Sequence, residues 1–340
     1  MHTRDTSLFD DTKEDIAKAG KILREGGLIA FPTETVYGLG ADARNEAAVQ
    51  AVYAAKGRPS DNPMIVHIAA AEQLAELAAQ VTEQMQRLAD ALWPGPLTMI
   101  VQRRWIDGKP VVPDVTTGGL DTVGVRLPAD PMARALIAAA GCPVAAPSAN
   151  LSGRPSPTQA EHVIHDLGGR IDGILQGGHC PVGIESSVID MTTDVPMILR
   201  PGKYTAEDFA QVLGRTVILD PALNSRPEDD THLIPRAPGM KYRHYAPQAE
   251  MIVFEGAQER VEAAIQEEAR RAREDGKKVA VLSYGIGQEE VAARELFARL
   301  RKADEEGCDL ILATALPEEG LGFSVMNRML KSAGFHTIKV

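Results

Sequence analysis

The feature that most constrains the fold is the alternation of short apolar runs with helical patterns over the first two hundred residues. Runs such as LIAF, PMIVHIA and TVGVRLP have the length of buried strands, whereas NEAAVQAVYAAK and PMARALIAAAG repeat apolar residues at helical spacing. This alternation is typical of an α/β domain. Because SSVIDM and PMILR are too close together for a crossover helix, we expect an antiparallel hairpin there and a mixed sheet overall.

The pattern is lost between residues 216 and 248, where proline and polar residues predominate. Loops of this length usually link domains or cover a site. Beyond the loop, MIVFEG, KVAVLSYG and LILATALP alternate with helical patterns, which predicts a compact β-α-β-α-β-α unit with a parallel sheet. We therefore divide the chain into a first domain at 1–215, a linker at 216–248 and a small Rossmann-like domain at 249–340.

Charge and composition limit the partners of the chain. A net charge of −11 argues against a broad basic face for nucleic acid, although a local basic pocket is compatible with it. No run of about 18 apolar residues predicts a membrane span and the amino end lacks the apolar core of a secretory signal, so we expect a cytoplasmic protein. The three cysteines form no C-x-x-C pair, which argues against a disulfide framework or a zinc finger.

Four polar clusters lie next to predicted strands, at the strand ends where open α/β sheets place ligands. FPTETVYGLGAD leads from a strand into hydroxyls and glycines, although a turn in which Thr33 or Thr35 caps a helix fits equally well. KGRPSDNP places Lys56 and Arg58 before a strand, and by itself fits a charged surface turn. VAAPSANLSGRPSPT offers small residues and neutral donors, and in isolation fits a simple turn. GIESSVIDM places serines at the start of a strand, and LRPG places Arg200 at the end of the next.

The common nucleotide and hydrolase motifs are missing from the sequence. Lys follows Gly at four places without a following Ser or Thr, and neither G-x-G-x-x-G, H-E-x-x-H nor G-x-S-x-G occurs. A bound nucleotide would therefore depend on Lys, Arg and Ser side chains instead of a phosphate-binding glycine loop.

Taken together, the four clusters resemble the YrdC-type threonylcarbamoyl-AMP synthases. KGRPSDNP followed by PSAN is similar to the separated K-x-R and S-x-N signature of that family, and FPTETVYGLG, LWPGPLT, VGVRLP and GIESSVID are similar to its other blocks. The resemblance spans Ile16 to about Leu213, and the tail with APGMKYRHYAP is similar to the two-domain form. It implies a YrdC-like catalytic domain with a twisted mixed sheet, followed by the linker and the small α/β domain.

The resemblance also implies a reaction, in which L-threonine, bicarbonate and ATP give L-threonylcarbamoyl-adenylate and pyrophosphate. The product would pass to the tRNA threonylcarbamoyl transferase machinery for modification of the adenosine beside the anticodon (t6A), with at most a weak tRNA contact. Because the reaction joins two anions, catalysis should consist mainly of charge neutralisation and positioning. Mg2+ is expected to bridge the phosphates and to be held mostly by water and substrate oxygens, since no carboxylate cluster supplies a protein cage.

Residue roles follow from the matched blocks. Lys56 and Arg58 are assigned to catalysis. The residues assigned to ATP are Lys56, Arg58, Asn62, Thr122, Ser148, Asn150, Ser156, Arg200 and Arg236. Those assigned to threonine are Thr35, His67, Arg126, Ala146 and Ser186, with Arg126 as the partner of the carboxylate. Those expected to form a lid that excludes water from the labile carbamate and adenylate are Lys241, Tyr242, Arg243, His244 and Tyr245.

Other interpretations stay open at this point. A carbamoyl-adenylate step of hydrogenase maturation uses a similar domain, but within a longer chain that carries zinc-binding cysteine motifs. An RNA-binding module is favoured by the local basic pocket and opposed by the acidic net charge and an aromatic content of only 4%. His67 in an apolar strand also fits an ordinary core histidine, and the lid segment fits an exposed basic linker.

Overall fold

The fold is taken from a computed structural model that describes residues 5–224, 235–238 and 244–340. The strands are β1 (Ser7–Phe9), β2 (Ile29–Phe31), β3 (Gly38–Asp42), β4 (Ile65–His67), β5 (Leu97–Gln102), β6 (Trp105–Ile106), β7 (Lys109–Pro110), β8 (Thr122–Arg126), β9 (Val144–Ala145), β10 (Gly173–Leu175), β11 (Ser187–Asp190), β12 (Met197–Arg200), β13 (Ile218–Leu219), β14 (Glu250–Glu255), β15 (Val279–Leu282), β16 (Leu310–Thr314) and β17 (Thr337–Lys339). The α-helices are α1 (Lys13–Arg24), α2 (Glu46–Lys56), α3 (Leu74–Leu77), α4 (Glu83–Leu92), α5 (Asp114–Thr117), α6 (Pro131–Ala140), α7 (Ala160–Leu167), α8 (Ala206–Leu213), α9 (Gln258–Glu274), α10 (Glu289–Glu305) and α11 (Gly320–Ser332). Short 3₁₀ helices occur at Ala71–Gln73 and Pro221–Asn224.

Eleven strands of the first domain form one sheet, in the order β1-β10-β2-β3-β9-β4-β8-β5-β11-β12-β13. β10 pairs in parallel with β1 and β2, whereas β3 runs antiparallel to β2 and β9. β11 and β12 pair antiparallel, so the predicted hairpin and the predicted mixed sheet are both confirmed. The sheet includes β13, which lies inside the segment that the sequence assigned to the linker.

Helices cover both faces of this sheet. Since successive strand residues point to opposite faces, Phe31 packs towards α1 and α6 with Leu23 and Leu136, whereas Ala30 faces the opposite core. That second core also contains Val52 of α2, together with side chains of α4, α7 and α8. Full burial of a large apolar side chain contributes about 1.5–3 kcal/mol, so these two apolar layers stabilise the sheet.

The C-terminal domain has a four-stranded sheet in the order β15-β16-β14-β17, with every pair parallel. α9 packs on one face through Ile265, and α10 and α11 pack on the other through Leu296 and Met329. The predicted parallel sheet is therefore confirmed. The edge strand β17 was not predicted, because its three residues are partly or fully exposed and form no apolar run.

One of the two interpretations left open for the FPTETVYGLGAD segment, a turn that caps a helix, does not hold. Within the described residues no helix begins at Thr33 or Thr35, and the chain instead forms a turn that leads into β3. The Thr33 hydroxyl accepts hydrogen bonds from the backbone N–H of Thr35 and Val36 and closes the turn. A Cβ at Gly40 would lie 2.7 Å from Val144 Cγ1, so this glycine serves close strand packing.

The two domains share a core at their contact. Val36 and Ile184 of the first domain belong to the apolar cluster built around α10 and α11. Among the described helices, none combines the length and the apolar character that crossing a membrane requires.

Candidate active site

One cleft of the first domain, whose empty volume of about 680 Å³ includes space that is open to solvent, brings together most of the predicted site residues. Its walls come from the β2–β3 connection, the end of α2, β4, β8, the segment after β9, the residues before β11 and the end of β12. The predicted residues that line it are Thr35, Lys56, Arg58, His67, Arg126, Ala146, Ser148, Asn150, Arg200, His244 and Tyr245. Four Lys and Arg side chains therefore share one cleft on an acidic chain.

α2 delivers Lys56 to this cleft. The helix begins after Asn45, whose side chain accepts a hydrogen bond from Ala48 N, and it ends at Lys56 because Gly57 adopts a left-handed conformation with φ 62°. Lys56 is only 2% exposed, and its Nζ donates to the backbone oxygens of Ser148 and Asn150. The lysine of the K-x-R motif is thereby joined to the S-x-N segment.

Burial gives Lys56 an unusual titration. Burial first, and then the charge of Arg58, lower the pKa of Lys56 well below its usual value. An anion placed beside this amine would favour the charged form again, since an opposite charge offsets the cost of burial. An anionic ligand beside Lys56 would therefore raise its pKa back towards the usual value.

Arg58 and the S-x-N segment are held by backbone atoms. Arg58 Nη2 donates to Pro63 O at 3.0 Å, which leaves the guanidinium half-buried at the cleft wall. Ser148 Oγ donates to Asn150 Oδ1 at 2.5 Å, and Asn150 Nδ2 donates to Leu151 O at 2.8 Å. These contacts fix the turn after β9 and direct small side chains and backbone towards the cleft.

The opposite part of the cleft contains Arg126 and His67, which are Cα partners on the parallel strands β8 and β4. Arg126 is 4% exposed, with Nη2 2.8 Å from Glu34 Oε1. Its buried Nε has no hydrogen-bond partner within the part of the chain that the structure describes. Arg126 therefore has donor capacity left for an anionic ligand.

His67 is a neutral imidazole at physiological pH. Burial first, and then the charge of Arg126, lower the pKa of His67 to about 3. The ring is 3% exposed, and its Nδ1 lies 3.2 Å from Ile65 O. His67 can therefore act as a hydrogen-bonding group in the cleft but does not add a positive charge.

Arg200 reaches the cleft from the end of β12. Its Nε donates to Ser186 O and its Nη2 to Ser186 Oγ, both at 3.0 Å. The Ser186 hydroxyl lies 2.8 Å from Thr98 Oγ1 and is fully buried. Burial lowers the pKa of Arg200 to about 10, so the guanidinium stays protonated at neutral pH. Ser186 thus orients Arg200 from behind the cleft wall.

Five predicted residues do not line the main cleft; they are Asn62, Thr122, Ser156, Ser186 and Arg236. Thr122 and Arg236 instead border a smaller neighbouring cavity. Arg236 is paired with Asp190 at 3.1 Å and with Asp220, so two carboxylates already engage its guanidinium.

Asn62 and Ser156, like Ser186, are buried behind the wall of the cleft. Asn62 is 2% exposed, and its backbone oxygen accepts a hydrogen bond from Tyr53 Oη at 3.0 Å. Ser156 is 1% exposed and donates to Glu185 Oε1 at 2.6 Å. Direct ligand contacts of these five residues stay predictions.

Of the predicted lid, Lys241, Tyr242 and Arg243 lie outside the described residues. His244 and Tyr245 line the cleft. Tyr245 has φ 64°, and its ring stacks on Phe297 of α10 with the centroids 5.2 Å apart. The end of the linker is therefore anchored to the C-terminal domain while it borders the cleft of the first domain.

Two acidic residues were missed by the sequence reasoning. Glu34 pairs with Arg126, and Glu185, which lines the cleft, pairs with Arg328 of α11 at 3.1 Å. Both glutamates lie inside blocks that the sequence singled out, FPTETVYGLG and GIESSVID. The signal available in the sequence was a carboxylate within a motif of small polar residues. The arginine that pairs with each glutamate lies far away in the sequence.

Comparisons with known proteins agree with this architecture. The Sua5/YciO/YrdC family, described as "Telomere recombination", matches residues 21–202, and the family described as "Threonylcarbamoyl-AMP synthase, C-terminal domain" matches residues 204–334. A threonylcarbamoyl-AMP synthase of Pyrococcus abyssi is 48% identical over 332 residues, which cover 95% of each chain. One of Bacillus subtilis is 45% identical over 350 residues, which cover 98% of this chain and 97% of the relative.

A solved structure matches as well. The crystal structure of P. abyssi Sua5 complexed with L-threonine has a TM-score of 0.92 and 46% identity, and the match covers 98% of this chain and 100% of that chain. The chain belongs to the threonylcarbamoyl-AMP synthase family, whose members are adenylyl-transferring enzymes.

Proposed function

We propose that this chain converts L-threonine, bicarbonate and ATP into L-threonylcarbamoyl-adenylate and pyrophosphate for the t6A modification of tRNA. The observation that carries the proposal is the meeting of Lys56, Arg58, Arg126 and Arg200 in one cleft with small, neutral hydrogen-bonding groups. Transfer of the product to a tRNA threonylcarbamoyl transferase, a weak tRNA contact and a cytoplasmic location stay predictions.

The chemistry explains the need for several cations. The threonine ammonium group first loses a proton to solvent, and the resulting amine bonds to the carbon of bicarbonate with loss of water, which gives a carbamate. A carbamate oxygen then attacks the α-phosphorus of ATP, and the bond to the oxygen that bridges to the β-phosphorus breaks as pyrophosphate leaves. The reacting groups are both anionic, so cations fixed before the reaction lower the barrier by neutralisation and alignment.

Threonine is assigned to the part of the cleft around Arg126. The guanidinium would bind the threonine carboxylate as a charge-assisted pair. Thr35 and the neutral His67 would hydrogen-bond the amino acid, and Ala146, which is 4% exposed, would pack against its methyl group. Ser186 would contribute by orienting Arg200.

ATP is assigned to the part around α2 and the S-x-N turn. Lys56, Arg58 and Arg200 would neutralise the phosphates, and Ser148 and Asn150 would shape the turn that contacts the nucleotide. Asn62, Thr122, Ser156 and Arg236 would act as an outer layer that holds this wall.

Mg2+ would be held mainly by the phosphates and by water. The described residues contain no group of three metal-ligating side chains, and the two glutamates near the cleft already pair with Arg126 and Arg328. Bound in this way, Mg2+ would neutralise phosphate charge during adenylyl transfer.

The end of the linker is proposed to cover this site. His244 is half-buried at the cleft, and desolvation first, then the charges of Arg58 and Lys331, hold its pKa well below the usual value, so the ring is neutral. Together with Tyr245 it would exclude water from the carbamate and the adenylate. Loss of both side chains should increase the hydrolysis of product relative to its release.

A pyrophosphate-release assay tests the proposed function. The purified chain is incubated with ATP, Mg2+, bicarbonate and a panel of amino acids. Release should require bicarbonate and prefer L-threonine, with serine about 10-fold to 200-fold weaker because it lacks one methyl group. Equal release without bicarbonate would contradict the proposal, and salt-dependent tRNA binding without ATP turnover would favour an RNA-binding module.

A further inference from the structure

The contact between the two domains contains a buried carboxylate at the cleft wall. Glu185 is 6% exposed and precedes β11. Its Oε1 accepts a hydrogen bond from Ser156 Oγ at 2.6 Å, and its Oε2 accepts one from Arg328 Nε at 3.1 Å. Glu185 therefore joins the loop after the S-x-N turn to the last helix of the C-terminal domain.

Arg328 is fully buried, and it is the largest fully buried side chain of the described chain. Its Nη1 donates to Pro201 O of the first domain and to Ser324 O of α11 at 3.3 Å. A buried ion pair is weak evidence for stability, because apolar residues of the same volume often stabilise a fold equally well. The position of this pair at the wall of the cleft calls for a functional explanation.

The charge on Glu185 is maintained by its neighbours. Burial alone would raise the pKa of Glu185, but the charges of Arg328 and Arg200 and the hydrogen bond from Ser156 hold it below the usual value. The other titratable groups that face this cluster are the hydroxyl of Tyr245, at the end of the linker, and Lys331 of α11. Of the neighbouring charges, that of Arg328 contributes most to keeping the Glu185 carboxylate anionic.

We infer that Arg328 is a positioning residue for the ATP-binding wall, acting through Glu185 on Ser156. This inference rests on the proposed function. The guanidinium fixes the carboxylate, the carboxylate holds the Ser156 hydroxyl, and Ser156 holds the loop that follows the S-x-N turn. The C-terminal domain thereby shapes the site without a side chain that touches the substrate.

A second arginine of the same domain holds the other end of this loop. Arg301 of α10 is 6% exposed, and its Nη2 donates to Pro155 O at 2.6 Å and to Asp166 Oδ2 at 2.8 Å. Asp166 Oδ2 also accepts from Leu151 N at 3.1 Å. The segment 151–156 is thus fixed at two points by α10 and α11, as a positioning role of the domain requires.

The test uses full-length enzyme with Arg328→Met, Glu185→Gln and the double variant. Arg328→Met should lower kcat/KM for ATP about tenfold or more and change the KM for threonine by less than about threefold. Because the two residues act as one unit, the double variant should lose no more than the worse single variant. Arg299→Met is the matched control, since Arg299 stacks on Tyr284 and donates to Val281 within the C-terminal domain.

The pH profile separates positioning from a merely structural role. Without Arg328 the anionic form of Glu185 loses its main stabilising charge, so its pKa rises and the acid limb of kcat/KM for ATP moves to higher pH. The double variant has no carboxylate at this position and should lack that shift. Multiplicative losses in the double variant, together with an unmoved acid limb in Arg328→Met, would overturn the inference.

Two further measurements keep the test decisive. If Arg328→Met does not fold, Arg328→Lys replaces it, and it should keep part of the activity because the charge remains while the second donor is lost. Calorimetry with a non-hydrolysable ATP analogue measures nucleotide affinity directly. If the parent enzyme released no pyrophosphate, the proposed function would fail, whereas unchanged analogue affinity in Arg328→Met and Glu185→Gln would overturn this inference alone.

Discussion

The two domains each carry a cleft beside an α/β sheet, but the clefts differ in charge. The cleft of the first domain is lined by one lysine and three arginines. The cleft of the C-terminal domain lies after β14, β15 and β16, and its described lining includes Glu255, Tyr284 and Glu318 but neither Lys nor Arg. Open α/β sheets place ligands at such strand ends, so both clefts lie where a ligand can bind. The charge of the lining side chains determines which cleft attracts anions.

The buried cations of the C-terminal domain are used at the domain contact. Arg301 and Arg328 reach from α10 and α11 to Pro155 and Glu185 of the first domain. The first domain thus concentrates positive charge on a cleft, whereas the C-terminal domain uses buried arginines to hold the loops that form that cleft. Each of the following substitutions tests this division of roles.

The largest effect is expected from the cations beside α2. Lys56→Met and Arg58→Ala should each reduce turnover by about 100-fold or more, the usual cost of removing an electrostatic stabiliser of the transition state. Pyrophosphate release under saturating substrates measures the loss. Arg270→Ala is the control, because its pairs with Glu267 and Glu274 lie on the exposed surface of α9. Near-normal turnover in both cleft variants would contradict the catalytic assignment of Lys56 and Arg58.

Substitution of Arg126, in the part of the cleft assigned to threonine, should have a smaller effect than loss of Lys56 or Arg58. It should affect threonine binding more than ATP binding. A hydrogen bond to a charged group contributes about 1.5–3 kcal/mol, so Arg126→Met should raise the KM for threonine roughly 10-fold to 150-fold. The KM for ATP should change much less. Because the substitution leaves Glu34 without its ion pair, the same change in a Glu34→Gln background is the matched control. An equal rise of both KM values in that background would contradict the assignment.

His67 should affect the pH dependence of stability. Its pKa is about 3 in the fold and near 6.5 in the unfolded chain, so the unfolded state binds the extra proton between these values. The free energy of unfolding should therefore fall as the pH drops through this window, by up to about 1.4 kcal/mol per pH unit for one proton. Denaturant unfolding at several pH values measures this dependence of the free energy of unfolding on pH. In His67→Gln the dependence should be weaker by the contribution of one proton. An unchanged slope would contradict the prediction.

The smallest effect is expected in the C-terminal cleft. Ile286 lies at this cleft and is 85% exposed, so Ile286→Ser should change the free energy of unfolding by less than about 0.5 kcal/mol. Threonine-dependent pyrophosphate release should stay within about twofold of the parent value, because the cleft is separate from the cationic site. A loss of turnover comparable to that of Arg58→Ala would remove the functional distinction between the two clefts.

The fold class and most of the charged residues of the cleft could be predicted from the sequence. Short apolar runs that alternate with helical patterns predicted the strands and the parallel C-terminal sheet, and the short connection between SSVIDM and PMILR predicted the mixed sheet, because these are local features of the sequence. The resemblance of local blocks to a known family pointed to Lys56, Arg58, Arg126 and Arg200, and the fold brings these four side chains to one cleft. The short strands β3 and β17 were not predicted, because three to five residues with glycine or exposed side chains form no recognisable apolar run.

Which polar residues face the cleft and which lie behind its wall depends on tertiary packing. Ser156 and Ser186 belong to the same motifs as the lining residues, yet they are buried against Glu185 and Thr98. The pairing of Glu185 with Arg328 joins residues 143 positions apart, and no local pattern specifies such a contact. A buried charge requires a partner in space, and the partner is selected by how α11 packs on the first domain, which depends on the whole fold.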